Sequence, residues 1–169
     1  MSKTLVTESA EELTGMAEKD MVTVKLLIDK KFYPEDYMYN IICFHATQAV
    51  EKLLKGFIIS NGKTVEKIHD LDILQESSME TDISFAKIKS ECMLLNTFAP
   101  DIKYSSQKII TKQDMDKIIK SMETISNFPP IKTMRDSFSK KQNYETVAEI
   151  TTNPVKPIAT RNGKKKNDL

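Results

Sequence analysis

The sequence predicts an all-α protein built as a bundle of four long helices and one short helix. Its 169 residues include only four Gly and six Pro, so few tight turns interrupt the chain. Apolar residues recur at steps of three and four in several long stretches, which is typical of helices with one buried face. No stretch keeps the alternating pattern of a strand beyond a few residues, so we expect no sheet.

The first two predicted helices are the longest. Helix one covers about residues 9–29 and helix two about residues 34–60. Pro34 suits the first turn of a helix, and Asn61-Gly62 is typical of a helix end. Helix two has the wider apolar stripe, which predicts the central helix of a bundle. That stripe consists of Ile42, Ala46, Ala49, Val50, Leu53, Leu54 and Phe57.

Three further helices follow along the chain. A short third helix is predicted to begin at His69-Asp70-Leu71, and a fourth to run from a cap near Asp82 to a point before Pro100. The segment 111–114 resembles a capping box, which predicts the start of a fifth helix. We expect this fifth helix to end at the proline pair 129–130.

The residues after the proline pair differ in composition from the bundle. The net charge is −4 through Pro129 and +5 from Pro130 onward, within an overall charge of +1. We predict a bundle domain at residues 1–129 and a basic extension at residues 130–169, with a short helix at 138–150 and disorder beyond it. A weak contact of this tail with RNA is an alternative to a purely solvating role.

Composition also limits the classes of function. No apolar run approaches the length of a membrane span, and residues 1–12 lack the apolar block of a secretory signal, so we expect a cytoplasmic protein. Cys43 and Cys92 lie in apolar helical patterns, which predicts small buried residues rather than a disulfide. The two histidines, His45 and His69, lack zinc-ligand spacing, so we expect no metal site. We also expect no cofactor.

The face of helix two opposite its apolar stripe holds the candidate functional residues. We interpret it as a groove for a phosphate-bearing ligand or as a dimer contact. Alternatively, Glu51 simply pairs with Lys55, and Phe44 packs within the bundle. For His69-Asp70, a helix cap competes with a catalytic pair. The face consists of Tyr37, Phe44, His45, Gln48, Glu51, Lys52 and Lys55.

Two motifs on these helices resemble the HEPN domain (higher eukaryotes and prokaryotes nucleotide-binding). Residues 42–55 read ICFHATQAVEKLLK, and residues 69–74 read HDLDIL after Gly62. The resemblance covers roughly residues 10–128 and implies an up-and-down helical bundle that commonly forms homodimers. It also implies a nucleotide ligand or a minimal nucleotidyltransferase as partner, as in toxin–antitoxin-like pairs.

Some HEPN domains are ribonucleases that carry an Arg four to six residues before a His. Here the arginines, Arg135 and Arg161, both follow the last histidine, so this motif is absent. The usual Arg-Tyr-Pro segment is also changed to Lys103-Tyr104-Ser105, which keeps the charge but loses the planar guanidinium. These departures weigh against an enzyme without deciding the question.

The sequence therefore favours a non-catalytic HEPN binding module over two alternatives. We expect ligand contacts from the polar face of helix two and from the region around residues 69 and 103, and dimer contacts from Tyr37 and Phe44. One alternative is a ribonuclease with a substitute active site, and the other is a dimeric scaffold without a small-molecule ligand. The predicted ligand-binding residues are His45, Gln48, Glu51, Lys52, Lys55, His69, Asp70, Lys103 and Tyr104.

Overall fold

The computed structural model describes the backbone of residues 4–29, 36–104 and 110–152, and the side chains of residues 4–29, 38–98 and 110–140. Within these ranges the chain forms six α-helices and one 3₁₀ helix, and its single β-bridge joins Leu5 to Glu66. The all-α prediction is confirmed. The helices are α1 (Ala10–Asp29), α2 (Asp36–Ser60), α3 (Leu71–Met79), the 3₁₀ helix (Ile83–Ile88), α4 (Lys89–Tyr104), α5 (Lys112–Ser126) and α6 (Pro129–Thr152).

Helix α2 occupies the centre of the bundle, as its wide apolar stripe predicts. It packs against α1, α3, α4 and α5. All seven residues of the predicted stripe are buried, and Cys43 and Ile58 extend it. Phe57 contacts Phe85 with ring centroids 4.4 Å apart, and Phe85 in turn contacts Phe128 at 5.0 Å. Because most of the α2 surface is buried against other helices, only a narrow polar face of α2 remains.

Helix α1 lies close to α2 at Gly56. A Cβ atom on Gly56 would lie 3.3 Å from Thr14 Oγ1 and 3.4 Å from the Ala10 carbonyl oxygen. The missing side chain therefore lets the N-terminal turn of α1 lie beside the C-terminal half of α2. This crossing brings the residues before α1 close to the polar face of α2.

Prolines mark two differences from the predicted helix boundaries. Helix α4 continues through Pro100 to Tyr104 instead of ending before the proline. Proline disturbs the turn before it, through its missing N–H and its clash with the carbonyl four residues earlier, but the residues after it can keep a helical backbone. The proline pair at 129–130 was expected only to end the fifth helix, but it also begins α6. Proline suits the first position of a helix. Ile131 and Met134 of α6 are buried in the core.

The chain divides into two compact units, residues 1–138 and 139–169. The first unit thus includes nine residues that the sequence analysis assigned to the extension. The short helix expected at 138–150 is part of the longer α6. Disorder was expected from residue 151 onward, but residues 151 and 152 belong to α6, and residues 153–169 lie outside the described residues. No helix in the described ranges combines the length and the apolar composition of a membrane span.

Candidate functional site

A cleft of about 240 Å³ opens beside the C-terminal half of α2. The N-terminal segment, the start of α1 and the loop between α2 and α3 form its other walls. Four of the predicted ligand-binding residues line this cleft: Glu51, Lys52, Lys55 and His69. The complete lining consists of Val6, Glu8, Leu13, Met16, Glu51, Lys52, Lys55, Lys67 and His69.

Backbone hydrogen bonds hold the N-terminal wall of the cleft. The Val6 N–H donates to the Val65 carbonyl, and the Lys67 N–H donates to the Thr4 carbonyl, both at 2.8 Å. Helix α1 then starts with a reciprocal cap, in which Ser9 N–H donates to Glu12 Oε2 at 2.7 Å and Glu12 N–H donates to Ser9 Oγ at 3.1 Å. The segment before α1 is therefore tied to the loop that carries Lys67 and His69.

Glu51 is the buried centre of the cleft. Its carboxylate accepts a hydrogen bond from Lys55 Nζ at 2.7 Å and pairs with His69 Nδ1 at 2.9 Å. Gln48 Nε2 donates to Glu51 Oε2 at 3.3 Å. Both charges of the Glu51–Lys55 pair are buried, and the pair has the four-residue spacing of one helix face. The exposed His69 imidazole and the buried ammonium therefore share one carboxylate.

A second carboxylate, Asp20 of α1, forms a similar cluster with His45 and Lys52 of α2. Asp20 Oδ1 pairs with His45 Nδ1 at 2.8 Å, and Asp20 Oδ2 accepts from Lys52 Nζ. The Phe44 ring meets the His45 ring edge-on, with centroids 5.5 Å apart. His45 itself does not line the cleft, but Lys52 does. Asp20 does not line the cleft, but its carboxylate holds Lys52, which does.

The lining of the cleft combines positive charge with an apolar wall. Three lysines and two glutamates leave one net positive charge. Val6, Leu13 and Met16 supply the apolar surface. Lysine ammonium groups bind phosphate as point charges, and an apolar wall can contact the flat face of a ring. The chemistry of the cleft therefore suits a small anion with an attached ring.

Asp70 has a structural role at the start of α3. Its side chain caps the helix by accepting from the Asp72 and Ile73 N–H groups at 2.9 and 3.3 Å. Asn96 Nδ2 donates to the same Asp70 oxygen at 3.0 Å. The helix cap, one of the two roles that the sequence offered for this residue, is therefore present. A ligand contact by Asp70 stays a prediction.

Of the other predicted residues, Phe44 does not line the cleft, and three have side chains that the structure does not describe. Phe44 lies on the outer face of α2 and is partly exposed, as is Ile41 one turn earlier. Tyr37, Lys103 and Tyr104 belong to helices, but their side chains lie outside the described residues. Their predicted roles in dimer and ligand contacts stay predictions.

Sequence reasoning missed Asp20, Lys67 and the N-terminal wall of the cleft. Asp20 lies 25 residues before its partner His45, and no local pattern links the two. Lys67 lies two residues before His69, a proximity that offered a weak signal. The Ser-x-x-Glu cap at residues 9–12 was readable as a helix start, but not as the edge of a site.

The other reactive side chains have structural roles. Burial raises the pKa of both thiols, Cys43 and Cys92, to about 12, so they are neutral core residues at pH 7. Arg135 donates to Glu18 from Nε at 2.6 Å and to the Ser126 carbonyl from Nη1 at 2.8 Å, and it does not line the cleft. No group of three His, Cys, Asp or Glu residues in the described ranges is arranged to hold a metal ion.

A family model for the HEPN domain matches residues 10–132. The match spans most of the chain, including α1 through α5 and the residues of α2 that line the cleft. The chain belongs to the HEPN domain family. Searches among curated proteins and among solved structures returned no match.

Proposed function

We propose that this HEPN domain is a non-catalytic binding module whose cleft binds the phosphate group of a nucleotide. One observation carries the proposal: three lysines and a histidine converge on a single cleft that also has an apolar wall. Charge-assisted hydrogen bonds to phosphate are stronger than neutral ones, and the aliphatic side chains of Val6, Leu13 and Met16 can contact the face of a base.

The three lysines differ in how readily they meet an anion. Lys55 and Lys52 are already paired, with Glu51 and Asp20 respectively. Lys67 lies in an exposed position on the rim, so its ammonium can bind a phosphate without leaving a buried partner unpaired. Lys67 therefore provides the first contact in our proposal.

The size of the cleft limits the ligand. Pockets for small molecules usually measure about 300–1,000 Å³, and this cleft is slightly smaller than that range. A mononucleotide with part of its surface left in solvent fits the proposal better than a dinucleotide. The proposal accordingly concerns recognition of a single base with its phosphate.

Isothermal titration calorimetry with ATP and GTP tests the proposal. We expect saturable binding to the full chain that weakens as the salt concentration rises, because exposed charges are screened by salt. Lys67→Gln should lower the affinity several-fold, since it removes the exposed cation without disturbing a buried pair.

Lys63→Gln is the matched control for the Lys67 variant. Lys63 lies on the same loop but pairs with Glu80 at 3.1 Å and does not line the cleft. This variant should bind both nucleotides like the unmodified chain. Absence of binding, or an equal loss of affinity in the two lysine variants, would contradict the proposal.

The proposal includes a homodimer formed through the outer face of α2. Phe44 and Ile41 support it, because both are partly exposed and lie three residues apart on one helix face. Phe44→Glu should shift the mass measured by light scattering toward the monomer, because it places a charge in the contact. Ile73→Glu changes an exposed apolar residue of α3 and should leave the mass unchanged. A monomeric unmodified chain would contradict this part.

A nucleotidyltransferase partner and a cytoplasmic location complete the proposal, and both rest on the sequence. The partner is testable by size-exclusion chromatography of the chain mixed with a nucleotidyltransferase encoded in an adjacent reading frame. Co-elution supports the pairing, and separate elution contradicts it.

A ribonuclease with a substitute active site is the competing function. One observation favours it, since both histidines have Nδ1 bonded to a carboxylate, which orients the ring as in acid–base catalysis. Arg135, however, is engaged by Glu18 and Ser126, and Arg161 lies outside the described residues. RNA cleavage that disappears in His45→Ala or His69→Ala would establish the enzyme and overturn the non-catalytic proposal.

A further inference from the structure

The N-terminal segment, residues 4–8, forms one wall of the cleft by pairing with the loop before α3. Leu5 lies opposite Glu66 in an antiparallel bridge, and the Lys67 N–H donates to the Thr4 carbonyl at 2.8 Å. The family match begins only after this segment. The segment therefore adds side chains to the cleft that the matched region does not contain.

This pairing brings two residues of opposite charge to the same wall. Glu8 of the segment and Lys67 of the loop both line the cleft, and the first is partly buried while the second is exposed. Hydrogen bonds from the backbone N–H groups of Glu8 and Thr7 lower the pKa of the Glu8 carboxyl, and the positive charge of Lys67 lowers it further. The carboxyl is therefore ionised at neutral pH, and it attracts the Lys67 ammonium.

Each of the three lysines of the cleft thus interacts with one carboxylate. Lys55 is bonded to Glu51, and Lys52 is bonded to Asp20. These two carboxylates belong to α2 and α1, whereas Glu8 belongs to the segment before the first helix. The third lysine is therefore the one whose opposing carboxylate comes from the N-terminal segment.

We propose that Glu8 is an internal competitor, whose carboxylate opposes the binding of a ligand phosphate at Lys67. The proposal rests on the proposed nucleotide-binding function and concerns the regulation of that site. Carboxylates and phosphates both bind ammonium groups through charge-assisted hydrogen bonds, and two negative charges at one cation repel each other. The N-terminal segment therefore keeps the affinity of the cleft for phosphate below the value that its three lysines would give with Glu51 alone.

Isothermal titration calorimetry of ATP with the Glu8→Gln variant of the full chain tests this competition. The substitution leaves three lysines and one glutamate in the lining. The amide oxygen of Gln can still accept from the Thr7 N–H and hydroxyl, which bond to Glu8 Oε2 at 3.0 and 3.3 Å. We expect ATP to bind several-fold more tightly than to the unmodified chain. In the Lys67→Gln background the same substitution should give a smaller gain, because the cation for which Glu8 competes is absent.

Glu12→Gln is the matched control, since it changes the charge of the chain by the same amount at a residue that does not line the cleft. This variant should bind ATP like the unmodified chain, and circular dichroism should show that all variants keep their helices. Equal ATP affinities of Glu8→Gln and the unmodified chain, or an equal gain with and without Lys67, would overturn the inference while nucleotide binding stands. If ATP binds neither the unmodified chain nor Glu8→Gln, the proposed function itself fails.

Discussion

Two carboxylates of the α1–α2 pair have the same types of partner but differ in how far they are buried. Glu51 and Asp20 each bind one lysine ammonium and the Nδ1 atom of one histidine. The Glu51 and Lys55 side chains are only 6% and 7% exposed, and both belong to α2. Asp20 is 13% exposed and its partner Lys52 22%, and this pair joins two helices. The same chemistry thus forms a buried pair within one helix and a wetter link between two.

Burial determines what each cluster contributes to stability. Removing one partner of a buried pair leaves an uncompensated charge away from water, which costs far more than the net gain of the intact pair. A more exposed pair loses less, because water replaces the missing partner. We therefore expect Glu51 to matter more for stability than Asp20, although both hold a lysine of the cleft.

Glu51→Ala is the change with the largest expected effect. It leaves the Lys55 ammonium buried without its carboxylate, which should lower the free energy of unfolding by about 3–5 kcal/mol. Urea unfolding followed by circular dichroism measures this loss. Glu80→Ala breaks the exposed Lys63–Glu80 pair and should change stability by less than about 1 kcal/mol. Similar losses in the two variants would show that the Glu51 site admits water.

Replacing both charges of the buried pair tests whether the pair acts by mutual neutralisation. The double variant Glu51→Leu/Lys55→Leu leaves no unpaired charge, so it should recover most of the stability that Glu51→Ala loses. It should also keep most of its affinity for ATP, because removing one lysine and one glutamate leaves the net charge of the cleft at +1. A double variant as unstable as Glu51→Ala would mean that the pair has a specific structural role beyond mutual neutralisation.

The same comparison shows how far the sequence can predict a site. The Glu51–Lys55 pair follows from its four-residue spacing on one helix, and the Asp70 cap follows from its place before an apolar run. The Asp20–His45 contact follows from neither, because it depends on how α1 packs against α2. The start of a helix at Pro129 was also missed, because a proline pair marks a helix end and a helix start equally well.

Asp20→Asn should have an intermediate effect. The amide keeps the size of the side chain but removes the charge that attracts Lys52 and His45, so we expect a loss of about 1–2 kcal/mol in the free energy of unfolding. Asp116→Asn, which changes the exposed partner of Lys112 on α5, is the matched control and should lie close to the unmodified chain. A loss as large as that of Glu51→Ala would remove the difference between the two clusters on which the comparison depends.

The smallest effect on the free energy of unfolding is expected at Glu12, whose carboxylate is bonded to Ser9 rather than to a cation. The Ser9 backbone N–H, together with the Ser9 hydroxyl, lowers the pKa of Glu12 below its ordinary value of 4.5. A carboxyl with a lowered pKa in the folded state stabilises the protein above its unfolded pKa, and this contribution disappears as the pH falls through the folded pKa. Gln at position 12 does not titrate, so Glu12→Gln should be less stable than the unmodified chain at neutral pH. The difference should shrink steadily below about pH 4.5. Urea unfolding of both chains across this range measures it. A difference that stays constant down to about pH 3 would show that the helix cap acts through hydrogen-bond geometry alone and that the charge of Glu12 contributes nothing.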